Sequence, residues 1–268
     1  LQFLYEGERL RGVAGLYYLD AHAAGKFDTI VGLLNLTIAT SGFVDTKSYA
    51  AYADFSWDFT DKLSASLGGR YTKDEKEGGV YRQNFTGLYS PLFGNDAAVP
   101  GLVRSDYTND RTFDQFTPRA SVSYEFTDTL TTYASYSEGF KSGGFDMRGD
   151  AVLTPDTVNG YDPEYVTSYE LGMKGTAFDD RFSYNFAVFY SDYSDQQITR
   201  QQPTVTGSIA SFVDNAGAST IQGAELEGAI QFTDRLSLSY GVGWTDAEFD
   251  KYETFQVITN PTPPPATI

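Results

Sequence analysis

The chain has 268 residues, of which 41% are hydrophobic and 16% aromatic, and its 36 acidic residues outnumber 19 lysines and arginines. Such a density of aromatic rings excludes a disordered chain. The lack of cysteine and the presence of one histidine exclude a disulfide framework, a thiolate zinc site and a multi-histidine metal site. The net charge of −17 argues against a nucleic-acid binder, because phosphate contacts need clustered lysines and arginines and none of the 19 lies in a run.

A membrane-spanning helix is also excluded by length. The longest uncharged apolar stretch, residues 29–44, is interrupted by polar residues and is shorter than the roughly 20 apolar residues that such a helix needs. The chain starts at Leu1 without an initiator methionine or a leader, and residues 260–268 have the composition of an open loop. We therefore expect a fragment whose signal peptide lies outside this sequence.

The hydrophobic pattern has a period of two, which predicts β-strands. In residues 48–59, for example, Tyr49, Phe55 and Trp57 fall on one face, whereas Asp54 and Asp58 fall on the other. In chain order, the same pattern predicts a partial strand at 1–4 and further strands at 10–20, 63–72, 115–126, 130–137, 166–175, 182–191, 223–232 and 236–245. The strands at 10–20, 130–137 and 166–175 alternate less strictly. They are predicted because they fall where the spacing of the other strands requires a strand.

A short repeat marks every second connection. An aromatic residue, an aspartate two positions later and a hydrophobic residue two positions beyond it recur around Asp61, Asp128, Asp180 and Asp234. Aspartate favours tight turns by bonding to its own backbone. The repeat predicts hairpin turns that all lie on one rim of the sheet, with a fifth turn at residues 6–8.

The remaining connections are predicted to be long loops, at residues 21–45, 77–112, 146–164, 197–218 and from 251 onward. Alternation alone is more typical of a soluble antiparallel sheet. However, short turns on one rim and long loops on the other are typical of outer-membrane barrels, which face lipid with apolar residues and their lumen with polar ones. The aromatic apolar faces and the low total hydrophobicity also favour a barrel with a wet interior.

Particular segments carry a family resemblance. Residues 133–145 (YASYSEGFKSGGF), 169–174 (YELGMK), 215–217 (NAG) with 222–227 (QGAELE), and 67–71 (LGGRY) resemble barrel segments of the TonB-dependent receptors. The resemblance covers nearly the whole chain and implies a Gram-negative outer-membrane transporter with a 22-stranded barrel. It also implies a plug domain, energy supplied through the TonB complex, and a ferric siderophore, cobalamin or an oligosaccharide as cargo.

The sequence departs from the family pattern, since it matches no TonB box, no plug and no terminal strand ending in an aromatic residue. We therefore expect an all-β, antiparallel up-and-down transmembrane segment, with about 9–10 strands of a probable 22. Residues 1–268 would be the middle part of the barrel domain. The expected partners are outer-membrane lipid, the receptor's own plug domain, the TonB complex through the missing N-terminal part, and a small-molecule ligand, but no nucleic acid.

Charged residues on the polar strand faces are predicted to face the lumen or the plug, since arginine or lysine on the lipid face would cost roughly 2–4 kcal/mol near the midplane. These residues are Arg70, Arg119, Glu125, Glu170, Lys174, Glu225 and Glu227. A charge ladder between neighbouring strands is favoured over direct contact with substrate.

Ligand candidates are predicted in the long loops. Aromatic and arginine side chains together suit flat anionic chelates or sugar rings, and residues 77–112 supply Tyr81, Arg82, Tyr89, Arg104 and Tyr107. The loop at 146–164 is acidic and could bind calcium or simply be solvated, and solvation is favoured. Its charged residues are Asp146, Arg148, Asp150, Asp156, Asp162 and Glu164.

An enzyme is not expected. Glu225 and Glu227 share a strand face at roughly 6–7 Å, as two glycosidase carboxylates might, but no nucleophile-elbow, phosphate-loop or zinc-protease motif supports catalysis. We expect no catalytic residues, no cofactor and no bound metal. The alternatives left open are a passive outer-membrane porin and, less favoured, a soluble β-rich adhesin or glycosidase-like enzyme.

Overall fold

A computed structural model describes residues 1–94, 98–203 and 209–253. These residues form one antiparallel sheet of 10 strands in sequential order, which confirms the up-and-down barrel segment. The strands are β1 (Gln2–Glu6), β2 (Leu10–Val31), β3 (Leu36–Asp58), β4 (Leu63–Thr86), β5 (Val99–Thr127), β6 (Leu130–Lys141), β7 (Glu164–Ala177), β8 (Phe182–Pro203), β9 (Ile209–Thr233) and β10 (Leu236–Tyr252). Three 3₁₀ turns lie at Gly32–Leu34, Pro91–Phe93 and Pro155–Asn159. Within the described ranges, no helix has the length and apolar character needed to cross a membrane.

The predicted hairpin turns are confirmed, and sequential order places all of them on one rim. The chemistry of individual turns differs from the prediction. At the turn containing Asp61, the Thr60 hydroxyl accepts the bond from Leu63 N at 2.9 Å. At the turn containing Asp180, residues 178–180 all have positive φ, and the Thr176 hydroxyl donates to the Asp180 carboxylate at 2.6 Å.

The strands extend much further than predicted, so most of the predicted long loops are wrong. β4 has 24 residues and β5 has 29, so the predicted loop at 77–112 is largely strand and leaves residues 87–98 as the connection. Likewise, β2 and β3 fill most of 21–45, and β8 and β9 fill the described part of 197–218. Of the predicted long loops, 146–164 does lie almost entirely outside the strands, as part of the connection 142–163 between β6 and β7, which contains the 3₁₀ turn Pro155–Asn159. Residues 254–268 lie outside the described part.

The pairing register sorts the side chains onto two faces. We call the face that carries Leu67 the outer face and the opposite face the inner face. Leu67 pairs with Phe55 and Ala120, and continuing this register across the sheet keeps the predicted apolar set together on the outer face: Phe55, Trp57, Leu67, Val122, Phe186, Val188, Leu226, Leu238 and Val242. Arg70, Arg119, Glu125, Glu170, Lys174, Glu225 and Glu227 lie on the inner face.

Two rows of aromatic residues bound the apolar part of the outer face. The row nearer the tight turns includes Trp57, Phe59, Phe126 and Phe232. The second row consists of Tyr18, Tyr49, Tyr71, Phe116, Tyr136, Tyr169, Tyr190 and Trp244. The next outer-face position beyond this second row is charged on most strands, as at Asp20, Lys47, Lys73, Asp114, Glu138, Asp192 and Asp246.

Candidate functional site

The candidate site is the place where residues 142–163, which we call the inner segment, lie on the inner face of β4, β5 and β9. Phe145 is the main apolar contact and is only 6% exposed. Its ring occupies the space over Gly78, where an added Cβ would come within 2.5 Å of the ring. Lys76 donates to the carbonyl of Gly143 at 2.6 Å. The glycine at position 78 therefore admits the ring, and Lys76 holds the start of the segment.

A buried ion pair fixes the middle of the inner segment. Arg104 Nη2 lies 2.8 Å from Asp150 Oδ2, and the two side chains are only 14% and 6% exposed. The Asp150 carboxylate also accepts from the backbone N–H of Leu153 at 3.0 Å. Beside this pair, the Ser105 hydroxyl donates to the carbonyl of Gly149 at 2.8 Å and accepts from Ala151 N at 3.0 Å.

A β-bulge explains why Arg104 and Ser105 both face the segment. Arg82 pairs with Ser105, whereas Gln83 pairs with Val103, so Arg104 is the extra residue on β5. A bulge re-aims the side chain of the extra residue. In a regular strand, neighbouring residues would point to opposite faces. Arg104 would then lie on the outer face, away from the inner segment.

A second polar cluster surrounds Asp146. Its carboxylate accepts from Arg148 at 2.9 Å and from Val213 N on β9 at 2.7 Å. Arg82 donates through Nη1 to the carbonyl of Arg148, and burial lowers the pKa of its guanidinium. Burial, together with the nearby Asp146, raises the pKa of Tyr107 to about 12. The cluster joins the inner segment to β4, β5 and β9.

Asn215 of β9 ties down the end of the inner segment. Its side-chain oxygen accepts from Asp162 N at 2.7 Å, and its amide donates at 2.8 Å to the carbonyls of both Asp162 and Asp195. Arg111 pairs with the Asp162 carboxylate at 2.5 Å. The residue that begins the NAG triplet therefore connects the inner segment to β8 and β9. Strand spacing does not predict this role of Asn215, but the NAG triplet marks the residue in the sequence.

The ligand candidates are separated by the structure. Of the five, Tyr89 alone lies in a connection between strands, where its side chain is exposed. Tyr81 and Arg82 are adjacent in β4 and therefore point to opposite faces, with Tyr81 on the outer face. Arg82, Arg104 and Tyr107 contact or underlie the inner segment. The prediction that Tyr81, Arg82, Arg104 and Tyr107 are loop residues is wrong, because the strands continue through them.

The predicted solvation of the acidic loop is wrong for two of its members. Asp146 and Asp150 are largely buried and paired with arginines, Asp146 with Arg148 of the same segment and Asp150 with Arg104 of β5. Asp156 is exposed, and Asp162 is mostly exposed although paired with Arg111. Among the described residues, no group of three or more histidine, cysteine, aspartate or glutamate side chains is arranged to hold a metal ion.

Two inner-face arginines nearer the tight turns contact side chains two strands away. Arg119 of β5 reaches over Gly68 of β4 to Asp54 of β3, at 3.0 Å; an added Cβ at Gly68 would meet the Asp54 carboxylate at 2.3 Å. Arg70 lies over the ring of Tyr17, with 5.0 Å to the centroid.

The two glutamates with described partners follow the same pattern. Glu170 accepts from the hydroxyl of Tyr133 at 2.6 Å, and Glu227 accepts from Asn185 at 3.2 Å. Each of these contacts crosses to the adjacent strand, as a ladder of polar groups would. Contact between this face and a plug stays a prediction.

Comparisons with known proteins identify relatives of the chain. The family model described as TonB dependent receptor-like, beta-barrel, matches residues 2–266. The chain is 29% identical over 265 residues to the ferric-pyoverdine M114 receptor PbuA of Pseudomonas sp. (strain M114), covering 87% of this chain and 30% of that protein. It is 25% identical over 196 residues to the pesticin receptor of Yersinia pestis, covering 73% and 25%.

A solved structure shows the same fold. The crystal structure of the ferric yersiniabactin uptake receptor FyuA from Yersinia pestis superposes with a TM-score of 0.73 at 20% identity, covering 93% of this chain and 34% of that one. The chain spans about a quarter to a third of the length of these relatives.

Proposed function

The chain belongs to the TonB-dependent receptor family, and we propose that it forms part of the wall of an outer-membrane receptor for TonB-dependent uptake of a scarce nutrient. One observation carries the proposal. A single up-and-down sheet has an apolar outer face bounded by aromatic rows, and an inner face that is polar and holds a docked segment. A wall of this kind suits lipid on one side and a polar passage on the other.

The spacing of the aromatic rows supports a position in the outer membrane of a Gram-negative bacterium. Tyr49 and Trp57 are eight residues apart on β3, which is about 26 Å along the strand and less when the strand is tilted. The apolar band of an outer-membrane barrel is about 25 Å tall and is flanked by aromatic girdles. Outer-face positions between the rows carry residues such as Ala53, Leu67 and Val122, whereas charged residues begin directly beyond the second row.

The match to the barrel-domain family model and the partial coverage of the relatives support an assignment to part of a barrel domain, and we propose that it is the middle part. In the whole protein, a plug domain would lie inside the barrel and contact the inner face, and the N-terminal part would engage the TonB complex. The alternation between apolar residues on the outer face and polar residues on the inner face supports contact of the outer face with lipid. The 10 strands of the described residues, spaced by about 4.8 Å, cover too short an arc to enclose a plug by themselves.

The proposed cargo is a metal complex of a small chelator, such as a ferric siderophore. The relatives support this class through their names, which include a ferric-pyoverdine receptor and a metal-pseudopaline receptor. We propose that Tyr89, exposed in the connection between β4 and β5, meets the cargo first. Arg82, Arg104 and Tyr107 are proposed to act as positioning residues that hold the inner segment against the wall.

Uptake in whole cells tests the proposal. Cells that produce the intact receptor are given iron-55 pyoverdine, and surface binding in the cold is measured separately from uptake at growth temperature. We expect binding with or without TonB but uptake only with TonB, because binding itself needs no energy. Uptake that persists without TonB would favour the passive porin. Absence of binding by a panel of ferric siderophores would contradict the cargo class.

The enzyme and soluble alternatives are not favoured. The family consists of transport receptors, and the Glu225 and Glu227 side chains lie on the inner face of a regular strand without a cleft motif. A protein that was extracted from cells into buffer without detergent would contradict the membrane position and return the adhesin to consideration.

A further inference from the structure

Three buried hydrogen-bond donors lie beneath the inner segment, on the inner face of β3, β4 and β5. Thr40 Oγ1, Arg82 Nε and the Tyr107 hydroxyl are buried atoms without a hydrogen-bond partner among the described residues. We propose that these three donors, which we call the anion site, bind one chloride ion, and that the ion strengthens the docking of the inner segment. The proposal concerns the wall itself and does not depend on transport.

The pairing register brings the three donors together on one face. Thr40 of β3 pairs with Arg82 of β4, and Arg82 pairs with Ser105 of β5. Tyr107 lies two residues from Ser105 along β5 and therefore points to the same face. Directly paired side chains have Cβ atoms about 4.5–5.5 Å apart, and diagonal neighbours are within reach of long side chains. The Arg82 and Tyr107 side chains can therefore reach a common point near Thr40.

The inner segment covers the anion site. Arg82 donates through Nη1 to the carbonyl of Arg148. Met147 lies over Gly42, the next inner-face position of β3 after Thr40, where an added Cβ would come within 3.2 Å of the methionine methyl carbon. Thr40 is consequently only 1% exposed. This cover excludes large molecules, so the occupant is a single small ion or a water molecule.

The charges around the anion site leave one positive charge without a partner. Asp150 pairs with Arg104 at 2.8 Å, and Asp146 pairs with Arg148 at 2.9 Å. Among the described residues, the hydrogen bond that Arg82 donates goes to a carbonyl rather than to a carboxylate. Three guanidinium groups therefore face two carboxylates. Because burying an uncompensated charge is costly, a monovalent anion balances the site, whereas a dianion would leave a buried negative charge.

Hydrogen bonding also distinguishes an anion from a water molecule. The Arg82 guanidinium donates only, and the hydroxyls of Thr40 and Tyr107 can both rotate to donate. One chloride ion accepts from all three groups, whereas a water molecule must also donate and leaves the positive charge unbalanced. Asn84 Oδ1, at the next inner-face position of β4, also lacks a partner among the described residues. Rotation of its amide presents an N–H group to the same place.

Diffraction from crystals of the intact receptor tests the site directly. Crystals grown in sodium bromide should show an anomalous peak between Thr40, Arg82 and Tyr107, because bromide replaces chloride and scatters anomalously near its absorption edge. Crystals of the Arg82→Gln variant grown in the same way should lack the peak. Density without anomalous signal in the wild type would identify a water molecule and overturn the proposal, as would a peak of equal height in the variant.

Proteolysis in solution tests whether the anion strengthens docking. The intact receptor in detergent is digested with trypsin in sodium chloride or in sodium gluconate at equal ionic strength, and cleavage after Arg148 is followed. Gluconate is monovalent but too large for the covered site. At a chloride concentration about tenfold above the Kd, docking should strengthen about elevenfold, because the ion binds the docked state alone. Cleavage should slow by the same factor. Equal cleavage in the two salts would overturn the proposal.

Two variants separate the anion site from general effects of salt on trypsin or on the receptor. Thr40→Val removes one donor at nearly constant size and charge, so half-maximal protection should need about two- to tenfold more chloride. Arg70→Gln removes an arginine from the same face of β4, twelve positions nearer the tight turns, and should keep the wild-type response to chloride. An unchanged response in Thr40→Val, or a lost response in Arg70→Gln, would contradict the assignment of the site. None of these measurements involves uptake.

Discussion

At the scale of single residues, the ion pair between Arg104 of β5 and Asp150 holds the middle of the inner segment against the sheet. Both side chains are largely buried, and each charge compensates the cost of removing the other from water. The residues are 46 positions apart in sequence, so no local pattern predicts their contact. The bulge that turns Arg104 inward is likewise a property of the β4–β5 register.

Removing one partner of this pair should release the inner segment. Asp150→Asn leaves the Arg104 guanidinium buried without compensation, which typically costs 3–5 kcal/mol. We expect limited trypsin digestion to cleave after Arg148 in the variant and to spare that bond in the wild type. Asp61→Asn is the control: it disrupts the exposed Arg9–Asp61 pair, where the expected change is below about 1 kcal/mol. Equal protection of Arg148 in both variants would contradict the role of the pair.

The buried hydroxyl of Tyr107 should make the docking of the inner segment sensitive to alkaline pH. Its pKa is raised from 10.0 to about 12 by burial and by Asp146. A raised pKa means that the docked state binds the proton more tightly than the undocked state does. Docking is therefore fully favoured below pH 10 and weakens as the pH rises through about 12.

The substitution Tyr107→Phe isolates this effect. The Tyr107 hydroxyl has no hydrogen-bond partner among the described residues, so its removal should cost little stability at neutral pH. Trypsin cleavage after Arg148, followed from pH 9 to 11.5 in brief pulses, should rise less steeply in the variant than in the wild type. Parallel profiles would show that another group controls the alkaline release.

At the scale of elements, Asn215 of β9 connects the end of the inner segment, at Asp162, with Asp195 of β8. We expect Asn215→Ala to loosen the end of the inner segment, because the backbone groups of Asp162 and the carbonyl of Asp195 lose their partner. Each hydrogen bond of this kind typically contributes about 0.5–1.5 kcal/mol. Amide hydrogen exchange of residues 158–163 should accelerate.

Asn185→Ala controls for loss of an asparagine on the inner face. Asn185 makes a single exposed bond to Glu227 at 3.2 Å, so exchange of residues 158–163 should stay at the wild-type rate. Unchanged exchange in Asn215→Ala would indicate that the ion pairs alone hold the segment.

The length of the strands shows where sequence reasoning succeeds and where it stops. Alternation located the strands wherever one face is apolar, as at Leu63, Leu67 and Tyr71 on β4. Beyond the second aromatic row both faces are polar, as at Lys73, Asp74 and Glu75, so the contrast between odd and even positions disappears although the ladder continues. The pattern therefore predicts loops for the parts of β4 and β5 beyond the second aromatic row, and this prediction is wrong.

The same argument explains the incomplete prediction of the site. Residue composition correctly marked 77–112 and 146–164 as rich in arginine, tyrosine and aspartate. It could not show that the two stretches contact each other, because that contact depends on folding the inner segment back onto the sheet. Deleting residues 81–107 would remove parts of two strands, so point substitutions are the better test of this region.

At the scale of the whole molecule, the two faces of the sheet differ in the environment for which they are suited. On β10, Val242 is 69% exposed and faces outward between the aromatic rows, where we propose that lipid lies. Ser239, three residues earlier, faces inward beside Glu227 and Asn185. Side chains at neighbouring positions of a strand point to opposite faces, so they meet opposite environments.

This difference gives a test of the membrane position with an internal control. Val242→Arg should destabilise the intact receptor in lipid vesicles by about 2–4 kcal/mol, because it places a cation in the hydrocarbon region. Ser239→Arg adds the same charge where water and the Glu227 carboxylate can compensate it, so the receptor should fold with nearly wild-type stability. Urea unfolding in phosphatidylcholine vesicles, followed by tryptophan fluorescence, measures both. If the two substitutions cost the same, the outer face does not meet lipid, and the assignment of the faces must be reversed or abandoned.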